Sequence, residues 1–174
     1  MITSKEEKKY RYVITRDLLS IKKQINLYSA ISLLVRNLKG GRLNKLGAQL
    51  SFIVINIKTI FSIPLVISIE ENLVNGNMVG TLIAFKQRYN KNIVHLDAIA
   101  VEKNFRFKGF GSLLINQLEK ELQTNSKKKV LKIYLKTLKD NNSQTLDFYK
   151  ANGFIDFKKK RNHRFISFMK VLEM

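Results

Sequence analysis

Three groups of residues have the types and spacing to do chemistry. Arg106, Gly109 and Gly111 fall in "FRFKGFGSLL" (residues 105–114), between the apolar segment "IVHLDAIAV" and a further apolar run. A strand, a glycine-rich turn and a helix start can hold a pyrophosphate, because glycines let backbone N–H groups approach closely and the helix N-terminus adds positive potential. The cluster lacks the Lys-Ser/Thr ending of a P-loop and the third glycine of the dinucleotide fingerprint. Taken alone, RxxGxG leaves a plain turn open. Downstream, Asn142, Thr145, Tyr149 and Asn152 in "NSQTLDFYKANGF" recur at spacings of three and four, which places them on one helix face. In the strand before the glycines, His95 and Asp97 alternate onto one face. An imidazole with an ordinary pKa near 6.5 is mostly unprotonated at neutral pH and suits a general base.

These groups need positioning elements. "KYRYVITR" (9–16) reads as a strand, and Asp17 as the N-cap of a helix over 18–39 that Gly40 and Gly41 end. Leu50, Ile53, Ile57 and Ile60 recur at helical spacing, predicting a second helix over 46–61, with strand as the alternative because the residues are β-branched. Pro64 resets the chain into a strand over 65–73, "VNGN" (74–77) signals a hairpin turn, and 78–89 returns as its partner. "NKN" turns the chain into the strand 93–102. Leu114, Leu118 and Leu122 mark one face of the helix after the glycines. "VLKIYLKT" alternates, with Leu131, Ile133 and Leu135 on one face and Lys132, Tyr134 and Lys136 on the other. A helix over 142–152 closed by Gly153 and two strands, 154–160 and 163–173, complete a single domain over 1–174. The order β-α-α-β-β-β-α-β-α-β-β predicts an α/β fold with a mixed sheet that is not doubly wound.

Together "LDAIAVEKNFRFKGFGSLL" and "NSQTLDFYKANGF" resemble the GNAT family of N-acetyltransferases. The first resembles its acyl-CoA pyrophosphate motif, Q/R-x-x-G-x-G/A, and the second its N-x-x-A-x-x-x-Y-x-x-x-G-F pattern. The resemblance implies a largely antiparallel central sheet flanked by helices, and acetyl transfer from acetyl-CoA to a primary amine by direct attack, without a metal. It implies that Ile99, Ala100 and Val101 offer their backbone to the pantetheine arm. Arg106 opens the motif, and the loop of Phe107, Lys108, Gly109, Phe110, Gly111 and Ser112 then holds the pyrophosphate. Asn142 contacts the cofactor, and Tyr149 lies near the thioester sulfur as general acid. Thr145 stands where the family usually has alanine, and Lys103 where proline is common. Only a fraction on the order of one in a thousand of an alkylamine is neutral at pH 7, so a proton acceptor is needed. His95 resembles the place where several family members carry their base; Asp97 and a water remain alternatives.

Composition bounds the rest. The absence of cysteine excludes disulfides and a covalent acyl-cysteine intermediate, and two histidines leave little for a metal site. Residues 50–69 are apolar but interrupted by Lys58 and Pro64, so they read as core rather than as a membrane span, and the charged start has no signal-peptide core. A cytoplasmic monomer or homodimer is the expectation. With 32 Lys+Arg against 13 Asp+Glu, the formal net charge is +19. That suggests an anionic partner, while codon bias toward lysine is the plain alternative. The hairpin "KKKRNHR" (158–164) is either a solvated turn or a site for a phosphate-bearing acceptor, such as a nucleotide-linked amino sugar or an aminoacyl-tRNA, with an acidic peptide as a further alternative. The competing reading is an RNA-directed acetyltransferase, or a nucleic-acid-binding protein that uses the fold mainly for binding.

Overall fold

The computed structural model describes residues 9–15, 31, 33, 62–71, 76–125, 130–138, 143–157 and 165–173. The strands are β1 (Tyr10–Thr15), β2 (Ser62–Glu71), β3 (Met78–Gln87), β4 (Ile93–Val101), β5 (Val130–Leu138), β6 (Ile155–Asp156) and β7 (Phe165–Glu173). Two helices among the described residues carry argument below, α1 (Phe110–Thr124) and α2 (Ser143–Ala151). Ile31 and Leu33 are also helical and fully buried, in keeping with the first predicted helix. The rest of that helix, the segment 46–61, Asn142 and the basic hairpin 158–164 lie outside the described residues.

The strands form one sheet in the order β1-β2-β3-β4-β5-β7-β6. All neighbours are antiparallel except β4 and β5, which are joined through α1 and run parallel. This is the mixed sheet that the element order predicts and the largely antiparallel one that the resemblance implies. β2 and β3 are almost continuously apolar because both of their faces are buried. Leu114, Leu118 and Leu122 do form the buried stripe of α1, with Phe110 and Ile115 beside them. The stripe packs on Ile67, Leu82, Ala84, Val94 and Leu96, and Leu131, Ile133 and Leu135 of β5 join the same core. Burial of such aliphatic side chains is worth about 1.5–3 kcal/mol each.

The boundary at Pro64 differs for a physical reason. Pro64 does not precede β2 but lies inside it, opposite Phe85 of β3. On its other side the described rungs of β1 end at Val66, so among the described residues no β1 rung asks for the N–H that proline lacks.

Candidate active site

The site is built where two parallel strands part. β4 and β5 are joined by rungs from Ile93–Lys132 to Leu96–Leu135, and there the ladder stops. Beyond it β4 runs to Val101 against β3, while β5 runs to Leu138 against β7. A β-bulge marks the divergence. Ala84 pairs with Leu96 and Ile83 with Ala98, so Asp97 is the extra residue. A bulge bends its strand and increases the local twist. It also corrects the strict alternation expected for His95 and Asp97. Leu96 and Ile99 sit opposite Ala84 and Leu82 on the α1 side, whereas His95, Ala98 and Ala100 sit opposite Phe85, Ile83 and Thr81 on the other. Asp97 itself is exposed.

The glycine loop is tied to the end of β4. The Glu102 N–H donates to the Val79 carbonyl at 2.8 Å, and the Glu102 carboxylate accepts from the Lys103 N–H at 3.2 Å. Arg106 Nε donates to the Val101 carbonyl at 3.1 Å, so part of this guanidinium fastens the loop to the strand. Phe107 and Gly109 have φ of 61° and 88°, and Gly109 caps α1 in the left-handed region that glycine enters without strain. The first-turn N–H groups of Phe110, Gly111 and Ser112 have no acceptor within the helix by its geometry, which makes an anion-binding concavity. The Phe110 ring is buried, packing edge-on against Tyr10 at 4.9 Å, so only its amide can serve a ligand.

Tyr149 is carried by α2 into the core, 9% exposed, with ring centroids 5.2 Å from Phe148, 5.9 Å from Phe154 and 5.8 Å from Phe168. Desolvation pushes its phenol up to about 12. Phe168 pairs with Leu135, the last β5 residue joined to β4, so Tyr149 packs on the α1 side of the sheet near the point of parting. His95 lies on the opposite face, half-buried, its ring 6.0 Å from that of Tyr134. Its Nε2 is 3.0 Å from the Gln87 side-chain nitrogen, so with this amide orientation Gln87 donates and Nε2 accepts. On that face β5 also presents Lys132 and Lys136, both exposed.

Three contributors were not singled out from sequence. Gln87 follows from the β3–β4 hairpin, in which it is a diagonal neighbour of His95. Phe148 lies over Gly111, where an added Cβ would be 3.0 Å from Cε2 and Cζ of the ring. Lys170 of β7 donates to Glu119 Oε1 on α1 at 2.6 Å and to the Asn152 carbonyl after α2 at 2.9 Å. No local pattern signals the last two. Among the described residues, no group of His, Asp and Glu is arranged to hold a metal, and no helix is long and apolar enough to cross a membrane.

Comparison with known proteins gives the same picture. The acetyltransferase (GNAT) family matches residues 60–154. A GNAT-family acetyltransferase from Staphylococcus aureus Mu50 superimposes with a TM-score of 0.64 at 19% identity, covering 94% of this chain and 100% of that one. One from Desulfovibrio desulfuricans gives 0.61 at 14% identity, covering 94% and 99%. The NatC complex bound to Gag peptide and CoA gives 0.58 at 17% identity, covering 94% and 99%. No curated protein matches significantly. At these identities the structural likeness speaks for the fold, and the family match, spanning more than half of the chain, carries the assignment: the chain belongs to the GNAT family of acyl-CoA-dependent N-acetyltransferases.

Proposed function

We propose that the chain transfers an acetyl group from acetyl-CoA to a primary amine by direct attack in a ternary complex. The observation that carries this reading is the parting of β4 and β5 after Leu96–Leu135, with the Arg106–Ser112 loop at the end of β4 and titratable groups on both sheet faces. In this reading the backbone of Ile99, Ala100 and Val101 lines the gap and pairs with the pantetheine arm, and the amides of residues 107–112 hold the pyrophosphate. The amine nitrogen forms its bond to the thioester carbonyl carbon from the His95 side, and the carbon–sulfur bond breaks. His95 takes the amine proton, directly or through water, with the exposed Asp97 as the alternative acceptor. Tyr149 serves the sulfur from the other side. With its phenol at about 12 and an ordinary thiol near 8.5, full transfer to the thiolate is uphill by on the order of 5 kcal/mol. Its part is therefore to hold its proton and stabilise the leaving sulfur by hydrogen bonding, where charge develops in the transition state.

Lys132 and Lys136 on the His95 face, within a chain of net charge +19, favour an acceptor that carries an anionic group and disfavour a polyamine. A phosphate-bearing amine and an acidic peptide both meet that requirement. The test is acetyl-CoA binding followed by CoA release with an amine panel. At 100 times the dissociation constant, acetyl-CoA should stabilise the fold by about 2.7 kcal/mol. No stabilisation, or an equal effect from inorganic phosphate, would overturn the cofactor site.

A further inference from the structure

Three phenylalanines fall within six residues of the glycine loop, and the loop treats one of them differently. Phe105 and Phe110 turn toward each other, ring centroids 5.7 Å apart, and Tyr10 packs edge-on against both. Phe107 is 90% exposed. It is also the only non-glycine residue with positive φ among the described residues, at 61°. A left-handed L-residue is strained, and for a bulky side chain that conformation is an outlier. Strain of this kind persists only where its surroundings enforce it, and it clusters at ligand sites. Here the surroundings are on both sides. Arg106 is held through its N–H to the Lys103 carbonyl at 3.3 Å and through Nε to the Val101 carbonyl, and Gly109 enters α1 at once. The backbone is fixed so that an apolar ring points away from the core.

We propose that the Phe107 ring is the stacking platform for the adenine base of CoA. This rests on the reading that the loop amides hold the cofactor's pyrophosphate. The pantetheine arm leaves the pyrophosphate toward β4, so the adenosine leaves it on the other side, over the exposed turn. The phosphates and ribose of that half call for cations and hydrogen-bond donors, such as Lys108 and the loop amides. Its base has flat π faces, and Phe107 is the one exposed aromatic in the turn. Stacking of a base on an aromatic side chain strengthens binding by roughly tenfold or more. Phe107 thereby becomes a specificity-determining residue that favours full CoA over shorter pantetheine thioesters.

Calorimetry with CoA and with 4′-phosphopantetheine, which lacks the 3′-phosphoadenosine and one phosphate of the pyrophosphate, tests this. Phe107→Asn keeps a residue that tolerates the left-handed backbone and removes the ring; Phe107→Trp keeps a ring. The expected result is a rise of roughly tenfold in the CoA dissociation constant for Phe107→Asn, little change for phosphopantetheine, and near wild-type binding for Phe107→Trp. Fluorescence of 1,N6-etheno-CoA should be quenched by the wild type and much less by Phe107→Asn. Unchanged CoA affinity in Phe107→Asn, or equal loss of both ligands, would overturn the stacking role while leaving the cofactor site standing. Failure of the wild-type protein to bind CoA at all would instead overturn the cofactor site on which the proposal rests.

Discussion

The ring of Phe148 closes over Gly111: an added Cβ would lie 3.0 Å from two ring carbons, so the ring would have to give by a few tenths of an ångström. The contact ties the first turn of α1, where the proposed pyrophosphate site lies, to α2, which carries Tyr149. Glycine at this place of the motif thus serves helix docking as well as the proposed approach of the pyrophosphate. In an open helix, Gly→Ala would stabilise by up to about 1 kcal/mol. Here overpacking by about 1–3 kcal/mol should outweigh that gain, so Gly111→Ala should lower stability by about 1 kcal/mol in urea denaturation. Adding Phe148→Leu should recover part of the loss. A stabilised Gly111→Ala would show that the ring yields freely and that the two helices are not coupled there.

Tyr149 makes two separable predictions. Tyr149→Phe should lower turnover by roughly a hundredfold while acetyl-CoA affinity stays near wild type, because the hydroxyl acts on charge that develops in the transition state. Wild-type turnover in that variant would reduce Tyr149 to a core aromatic. The second concerns stability. The phenol rises from 10.0 to about 12, so the folded chain keeps a proton that the unfolded chain gives up in between. This contribution is complete below pH 10 and is lost as pH climbs to 12, about 2.7 kcal/mol at about 1.4 kcal/mol per pH unit. Between pH 9 and 11.5 the wild type should therefore lose more unfolding free energy than Tyr149→Phe.

Lys170 joins three elements through two contacts, and its side chain is only 20% exposed against 17% for Glu119. Lys170→Met keeps the apolar stem but leaves the Glu119 carboxylate without this cation and the Asn152 carbonyl without this donor. A partly buried charge deprived of its partner is costly, so a loss of about 2–3 kcal/mol is expected. Lys170→Met combined with Glu119→Gln should lose less than the single variant, which chemical denaturation can resolve. Because Asn152 follows the end of α2, turnover should fall in Lys170→Met more than acetyl-CoA affinity does.

The elements that hold the site were legible where a local period exposed them. The leucine stripe of α1, the alternation in β5 and the glycines before Phe110 and Ser112 each follow from spacing within a few residues. Features set by partners distant in sequence were not. Nothing local marks Asp97 as an extra residue, because a bulge depends on which β3 residue each β4 residue meets. The insertion of β7 between β5 and β6 is a long-range choice, as is the Lys170–Glu119 pair, 51 residues apart. Pro64 misled for the opposite reason: a local rule about proline gave way to a strand whose described rungs with its neighbour on that side end at Val66.

The bulge also shapes the last prediction, which separates the two candidate bases. His95 sits one rung before β4 and β5 part, half-buried beside Tyr134 and fixed by Gln87, whereas Asp97 is exposed at the bulge itself. A base must keep a fixed position relative to the attacking nitrogen, and the packed imidazole meets that condition better than an exposed carboxylate. His95→Gln should therefore lower kcat by roughly 10²–10⁴-fold and remove the acid limb of the pH–rate profile, with little change in acetyl-CoA KM. Asp97→Asn should keep that limb. The hydrogen bond to Gln87 adds a constraint. As oriented, Gln87 occupies the Nε2 lone pair, so an imidazole accepting a proton there must release the amide or meet its rotated carbonyl oxygen. Gln87→Leu should accordingly change kcat in the direction that tells which occurs: a rise if the amide competes for the lone pair, a fall if its oxygen holds the imidazolium. Full activity in His95→Gln, with the acid limb lost in Asp97→Asn, would transfer the role to the carboxylate at the bulge.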